Sequence, residues 1–316
     1  MARRALPSVL VIALLAATAA AFALTERAKL ERSPIYGTQQ AQVFSPDSKD
    51  PAKKVAHLRF HVRNSENIDV WIQDSGGRKV DTLLTHRSVR KGELVTLVWD
   101  SFTSAGVGEP DGTYRAVVKL EHSHRTIVMP SDITVDTSPP HITARPATKY
   151  PIISPDGDGH ADVFRIPYEV SEPAHAILLL RGKQVVYTNG QKEKGTLVWN
   201  GKVRLPDGST RPLPPGRYVL AIAARDRAGN QSTGVRFAIG QVRYLTLART
   251  RVVVRPGGRF ALRVSTDAPQ VDWLLHGRHG TLPRGTLHLR APKSAGVYRL
   301  YLTVGSHTAV CSVVVA

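Results

Sequence analysis

Apolar and polar residues alternate with a period of two through most of the chain after about residue 44. Apolar side chains recur at every second position in four early stretches, residues 58–62, 68–72, 95–99 and 114–120. In an extended strand such side chains share one face, so the pattern predicts half-buried β-strands. Gly, Pro and Asp turn residues separate the stretches, and no long segment keeps a helical period. The chain is therefore predicted to be all-β.

The strand pattern occurs twice. Ser45-Pro46-Asp47 matches Ser154-Pro155-Asp156, and Leu97-Val98-Trp99-Asp100 matches Leu197-Val198-Trp199-Asn200. A glycine turn and a strand that begins with a tyrosine follow in both copies. Repeats of about 100 residues with about seven strands each predict tandem immunoglobulin-like β-sandwiches.

A third apolar-alternating region lacks both the Ser-Pro-Asp start and the Leu-Val-Trp motif, so we expect a smaller immunoglobulin-like sandwich of a different type. The stiff connector Val135–Pro140 separates the first two copies. The predicted organisation is a signal peptide or signal anchor (1–23), a linker (24–40), a degenerate first sandwich (41–138), a second sandwich (139–240) and the smaller third sandwich (241–316).

The amino terminus has the features of a secretory signal. Arg3 and Arg4 precede an uncharged apolar stretch, and Ala21-Phe22-Ala23 fits the small-x-small pattern of a cleavage site. The alternative is an uncleaved membrane anchor over residues 6–24, which is close to the roughly 20 residues needed to span a bilayer. Both readings place the bulk of the chain outside the cytoplasm, either secreted or anchored by this segment.

Composition narrows the class of partner. A formal net charge of +18, from 43 Lys plus Arg against 25 Asp plus Glu, attracts polyanions. The expected partners are anionic cell-envelope polymers or another envelope protein, with no specific binding of nucleic acid. Cys311 is the single cysteine, so no disulfide forms within the chain, and its apolar surroundings favour a core position.

The second copy resembles the immunoglobulin-like domain of the bacterial flagellar hook-cap protein. The resemblance rests on Ser154–Gly159, Asp162, Tyr168-Glu169-Val170, Leu197–Gly201 and Pro215–Tyr218. It extends over about residues 44–240 as two copies, and the first departs from it where Asp47-Ser48-Lys49-Asp50 replaces Asp-Gly-Asp-Gly. The resemblance implies a β-sandwich with a scaffolding or adhesive role and no catalysis of its own.

One stretch has the chemistry of a metal site. Asp156, Asp158 and Asp162 bring carboxylates close together between glycines, which suits a hard cation that binds six or more oxygens. Because the loop between the last two strands is expected to return to the pole where the chain enters, Asp226 or Asp136 is predicted to complete a structural Ca²⁺ site at the joint between the first two sandwiches. The alternative is that Asp-Gly pairs serve only as turn residues.

No motif for a catalytic nucleophile, a catalytic metal or a phosphate-binding loop is present, so the chain is predicted not to be an enzyme. The first functional hypothesis is an exported structural or adhesive envelope protein. The alternative is an accessory module that binds polysaccharide for an exported hydrolase through exposed aromatic side chains. Trp71 is the candidate for that contact, because it faces away from its apolar neighbours, whereas Trp99, Trp199 and Trp273 lie on apolar faces.

Overall fold

The computed structural model describes residues 11–22, 32–39, 42–103 and 105–316. Helix α1 spans residues 11–22, inside the predicted signal or anchor, whose remaining residues lie outside the described ranges. Among the described residues, no helix combines the length and the hydrophobicity needed to cross a membrane. After α1, every regular element of the described residues is a strand except one short 3-10 helix, which confirms the all-β prediction.

The first sandwich consists of two facing sheets and a short 3-10 helix at Pro51–Lys53. Its strands are β1 (Ile35–Gln39), β2 (Gln42–Phe44), β3 (Ala56–Val62), β4 (Glu66–Asp74), β5 (Lys79–Val89), β6 (Leu94–Trp99), β7 (Gly112–Leu120), β8 (Arg125–Val128) and β9 (Ile133–Val135). One sheet has the order β1-β3-β6, and the other has the order β2-β9-β7-β4-β5 with β8 on β7.

Residues 35–39, which the sequence assigns to the linker (24–40), form strand β1 instead. Strand β1 pairs antiparallel with β3, with Ile35 opposite Val62, and Ile35 lies in the first core. The polar residues around Ile35 conceal this strand in the sequence, since only one side chain of β1 is fully buried.

The second sandwich is built around one long strand. Its strands are β10 (Ile142–Ala144), β11 (Ile152–Ile153), β12 (Phe164–Leu180), β13 (Lys183–Tyr187), β14 (Lys192–Trp199), β15 (Lys202–Arg204), β16 (Thr210–Pro212), β17 (Gly216–Arg225) and β18 (Val235–Val242). The first half of β12 pairs with β10 and β14, and its second half pairs with β13 and β17. The strand therefore crosses from one layer to the other, where the first sandwich uses the separate strands β3 and β4.

The third sandwich has a smaller and a larger sheet. Its strands are β19 (Thr246–Leu247), β20 (Arg251–Val254), β21 (Arg259–Ser265), β22 (Gln270–Leu275), β23 (Arg278–Pro283), β24 (Thr286–Arg290), β25 (Gly296–Val304) and β26 (His307–Val315). The orders are β19-β21-β24 and β20-β26-β25-β22-β23. Cys311 is fully buried in the core between them, as its apolar surroundings predict.

Each sandwich has its own hydrophobic core. The three cores draw on residues 35–135, 142–244 and 245–315, and Trp99 and Trp199 are among the largest fully buried side chains. Thr137–Ala316, with Asp47–Asp50, forms one compact unit, so the second and third sandwiches pack as a single body. The other unit consists of the described residues up to Pro46 together with Pro51–Asp136.

Two features recur in all three sandwiches. An early strand lies parallel to the last strand in each, which aligns Phe44 with Val135, Ile153 with Val242, and Val254 with Val315. A tyrosine hydroxyl near the start of a late strand also donates to the backbone carbonyl four residues upstream.

This tyrosine corner, a hallmark of immunoglobulin-like sandwiches, joins Tyr114 to Pro110 at 2.6 Å, Tyr218 to Pro214 at 2.9 Å and Tyr298 to Ser294 at 3.0 Å. The third sandwich is thus built like the other two despite lacking their sequence motifs.

Candidate functional site

The Asp-Gly-Asp-Gly segment forms a closed loop directly after β11. Ser154 N–H donates to the Ala161 carbonyl at 2.9 Å, which closes the loop across its base. Gly157 and Gly159 have φ of +83° and +88°, a left-handed conformation that glycine adopts without strain. These two glycines let the chain turn twice within the loop, so that acidic side chains on either side of them converge.

The three aspartates predicted as ligands do come together. One carboxylate oxygen from each of Asp156, Asp158 and Asp162 lies within 4.8 Å of the other two. Both oxygens of Asp162 accept backbone N–H groups, from Gly157 and from Gly159, each at 2.7 Å. An ionised carboxylate has about four lone-pair sites, so each oxygen keeps one for a further partner.

Asp156 is the most enclosed carboxylate of the loop, with 2% of the residue exposed. Burial raises its pKa above the ordinary value, and the negative charges of Asp158 and Asp267 raise that pKa further. The Ser154 hydroxyl, which donates to Asp156 Oδ2 at 3.0 Å, acts in the opposite direction. Asp267 lies in the turn between β21 and β22 of the third sandwich, so the charges that meet here come from two sandwiches.

Two oxygens near Asp156 are buried without a hydrogen-bond partner: Oδ2 of Asp158 and Oδ2 of Asp267. The side chain of Asp158 is 10% exposed, and the nearest basic atom to this oxygen, His160 Nδ1, lies 3.7 Å away. Buried acceptors normally have a partner, since leaving one unpaired costs about 1–3 kcal/mol.

The loop rests against the hairpin between β25 and β26. Ser306 N–H donates to the Asp156 carbonyl at 2.7 Å, and a Cβ placed on Gly305 would overlap that same carbonyl oxygen. Beside this contact, the rings of Tyr244 and His307 stack with centroids 4.1 Å apart and planes at 6°. The acidic loop therefore lies at the junction between the second and third sandwiches.

The structure places Asp226 away from this loop, which corrects the predicted ligand set. Ile153, three residues before Asp156, lies opposite Val242 at the end of β18, and Val242 also pairs with the first residue of β17. Asp226 follows the last residue of β17, a strand of 10 residues, and strands rise about 3.3 Å per residue. The two aspartates thus lie at opposite poles of the sandwich, roughly 30 Å apart.

The Asp226 carboxylate is held by hydrogen bonds within its own turn. It accepts the backbone N–H groups of Gly229 at 2.7 Å and Asn230 at 2.9 Å, and the Asn230 side-chain amide at 2.9 Å. Asp136 belongs to the other compact unit, where its N–H donates to the Phe44 carbonyl at 3.1 Å. Its role as a ligand stays a prediction.

Positive charge is unevenly divided among the sandwiches. Residues 241–316 contain eleven Lys or Arg against two Asp, whereas residues 41–138 contain thirteen basic and thirteen acidic residues. Residues 139–240 are intermediate, with fourteen basic and eight acidic residues. The basic residues are scattered along the chain, but their excess over acidic ones is greatest in the third sandwich.

The outer face of the sheet β19-β21-β24 carries part of this charge, and we call it the arginine face. Arg259, Arg263, His288 and Arg290 are exposed there, and Arg259 lies directly opposite Arg290. Like charges at opposed positions destabilise a sheet. The structure describes all of residues 241–316, and no ion pair in that range neutralises these arginines.

Trp71 faces outward from the first sandwich, as predicted, while Trp99 and Trp199 are buried and Trp273 packs on the third core. It lines a shallow groove of about 300 Å³ with polar neighbours that include Asp69, Thr82 and Lys119. Lys79 Nζ lies 5.4 Å from the centre of its ring, within range of a cation–π interaction.

No protein-family profile matches the chain, and no curated protein sequence matches it. Among solved structures, the fibronectin(III)-like modules of CbhA from Clostridium thermocellum are similar at 13% identity and a TM-score of 0.34, covering 66% of this chain and 93% of that one.

A 1.5-MDa bacterial ice-binding adhesin is similar at 10% identity and a TM-score of 0.27, covering 90% of this chain and 97% of that one. Three N-terminal domains of the outer capsid protein Hoc from bacteriophage RB49 are similar at 11% identity and a TM-score of 0.26, covering 89% and 98%. At these identities and TM-scores, no ligand, partner or function transfers from any of the three to this chain.

Proposed function

We propose that this protein is an exported, non-catalytic envelope protein whose third sandwich binds an anionic polymer. The observation that carries the proposal is the arginine face, where exposed guanidinium groups have no acidic partner among residues 241–316. Guanidinium groups bind phosphate and carboxylate in a bidentate manner, and opposed arginines that weaken the sheet are compensated when such a ligand lies between them.

The remaining sandwiches serve as a scaffold for that face. The first sandwich has as many acidic as basic residues and contributes little to the attraction of a polyanion. The second packs with the third as one compact unit, so it presents the arginine face on a firm support. The third sandwich is thus the basic binding module, and the neutral first sandwich acts as a spacer in the cell envelope.

The test measures binding of the purified chain to isolated cell walls at increasing salt. One variant replaces three arginines of the arginine face by serine, Arg259, Arg263 and Arg290. A control variant removes the same charge from exposed positions of the second sandwich, Arg165, Arg204 and Arg211. We expect the first variant to bind about tenfold more weakly, and the slope of log K against log salt concentration to become shallower by up to about 3. The control should lose about twofold or less in affinity.

Equal losses in both variants would mean that net charge alone governs binding, which contradicts a dedicated face. Binding of the unmodified chain that does not respond to salt would also contradict the proposal. Salt weakens the attraction between exposed charges, with a Debye length of about 10 Å at 0.1 M.

The polysaccharide-binding alternative is favoured by a different observation, the groove around Trp71. An indole ring with hydrogen-bonding neighbours is suited to stacking on a sugar. Under this alternative, Trp71→Ala should weaken binding on a glycan array about tenfold, equivalent to about 1.4 kcal/mol. Tyr187→Ala, which removes an aromatic ring that is 54% exposed on the second sandwich, is the control and should leave binding unchanged. No glycan binding by the unmodified chain would rule the alternative out.

A further inference from the structure

We propose that the loop 154–162 binds one Ca²⁺ ion and that this ion strengthens the junction between the second and third sandwiches. This inference does not depend on polymer binding. Its ligands come from Asp156, Asp158 and Asp162, and its location differs from the sequence prediction of a joint between the first and second sandwiches.

The donor set is the first argument. The three aspartates supply carboxylate oxygens within 4.8 Å of one another. Ca²⁺ binds oxygen at about 2.3–2.6 Å, so two oxygens across one ion lie up to about 5 Å apart. All three carboxylates thus fit inside one coordination sphere with little movement. Backbone carbonyls and water are the usual source of the other oxygens that Ca²⁺ binds.

The unpartnered oxygen of Asp158 is the second and independent argument. Its side chain is 90% buried, yet Oδ2 has no hydrogen-bond donor, and the His160 ring nitrogen at 3.7 Å is too distant to supply one. Turn formation does not need this oxygen, since the turn uses Oδ1, which accepts the His160 N–H at 2.7 Å. A cation among the three carboxylates would give Oδ2 the partner that the chain itself does not provide.

Charge at the junction is the third argument. Asp156 is nearly fully buried, and the charges of Asp158 and Asp267 both act on it. Gathering like charges in a buried place is unfavourable unless a proton or a cation neutralises them. A divalent cation would neutralise two of these charges and would relieve the repulsion between the second and third sandwiches.

The backbone links the site to the junction. The carbonyl of Asp156 accepts the Ser306 N–H, while its carboxylate contributes to the ligand cluster. An ion that holds the Asp156 side chain therefore also fixes the carbonyl that binds the third sandwich. The exchange rate of the Ser306 amide hydrogen reports directly on this coupling, because a firmer hydrogen bond opens less often.

The test uses the purified full chain, freed of metal and titrated with Ca²⁺ by calorimetry, with amide exchange followed in parallel. We expect one Ca²⁺ per chain and exchange of the Ser306 amide about tenfold slower in its presence. Asp158→Asn should weaken binding by at least about tenfold and abolish the slowing. Asp207→Asn is the matched control, since Asp207 is an exposed turn aspartate before a glycine in the same sandwich, and it should bind as the unmodified chain does.

Four results would overturn the inference or one of its parts. Titration without saturable binding at millimolar Ca²⁺ would remove the site. Equal weakening by Asp158→Asn and Asp207→Asn would show a general charge effect and no site in the loop. Binding that leaves Ser306 exchange unchanged would refute the strengthening of the junction. Equally tight binding of Mg²⁺ would refute the assignment to Ca²⁺, because Mg²⁺ requires shorter and near-octahedral coordination.

Discussion

Replacing Trp199 by alanine is expected to lower the free energy of unfolding of the second sandwich by about 3–5 kcal/mol. The indole is 2% exposed and lies at the end of β14, where it packs in the second core. Its Nε1 also donates to the Lys202 carbonyl at 2.9 Å, so the substitution removes a hydrogen bond as well as leaving a cavity. Domains of this size have about 5–15 kcal/mol of stability, so a large share would be lost.

Trp71→Ala is the matched control, because it makes the same chemical change at a half-buried position on an outer face. It should cost about 1–2 kcal/mol, clearly less than Trp199→Ala, because only part of the indole is in contact with neighbouring side chains and no buried cavity is left. Calorimetry combined with amide exchange of β12 and β17 separates the second sandwich from the rest of the chain. Similar losses for the two variants would contradict the assignment of Trp199 to the core and of Trp71 to the surface.

The parts of the fold that follow from local alternation were predictable from the sequence. Leu58, Phe60 and Val62 point inward because successive side chains of a strand face opposite sides, and this period can be read directly. The matched Trp99 and Trp199 are buried in both copies for the same reason. The resemblance to the hook-cap domain stays a prediction that the fold accommodates.

The position of Asp226 was not predictable in this way. Which pole a loop occupies depends on which strands pair and in which direction, and here the parallel pairing of β11 with β18 decides it. A strand of two residues carries almost no periodic signal. The sequence therefore identified the acidic cluster of the loop correctly, whereas Asp226, one of the two candidates for a further ligand, lies at the other end of the sandwich.

Two features of the third sandwich, its tyrosine corner and its excess of arginine, have a signal in the sequence outside the Ser-Pro-Asp and Leu-Val-Trp motifs. Gly296-Val297-Tyr298 has the same Gly-x-Tyr spacing as Gly112-Thr113-Tyr114 and Gly216-Arg217-Tyr218, and all three tyrosines make the corner hydrogen bond. The excess of arginine appears when charges are counted for each sandwich separately. By contrast, the approach of Asp267 and Ser306 to Asp156 joins residues more than 100 positions apart and has no local signature.

Gly305→Ala is the second substitution expected to have a large effect, on the junction between the second and third sandwiches. Gly305 has a φ of +54°, where an L-residue with a Cβ is strained by about 1–2 kcal/mol. Its Cβ would also overlap the carbonyl oxygen of Asp156, a backbone atom that cannot move aside as a flexible side chain can. The hairpin must shift away, and the Ser306 N–H then loses its acceptor, which costs about 1 kcal/mol more.

Gly277→Ala separates backbone strain from this contact. Gly277 occupies the neighbouring hairpin between β22 and β23 with a φ of +75°, and a Cβ there meets no atom within 4 Å. Both substitutions should destabilise the chain by introducing backbone strain. Only Gly305→Ala should speed exchange of the Ser306 amide, by about tenfold for each 1.4 kcal/mol of local stability lost. Equal behaviour of the two variants, with Ser306 unaffected in both, would mean that the hairpin does not bear on the acidic loop in solution. Faster exchange in Gly305→Ala alone would establish that Asp156 joins the two sandwiches through its carbonyl, whichever ion its carboxylate holds.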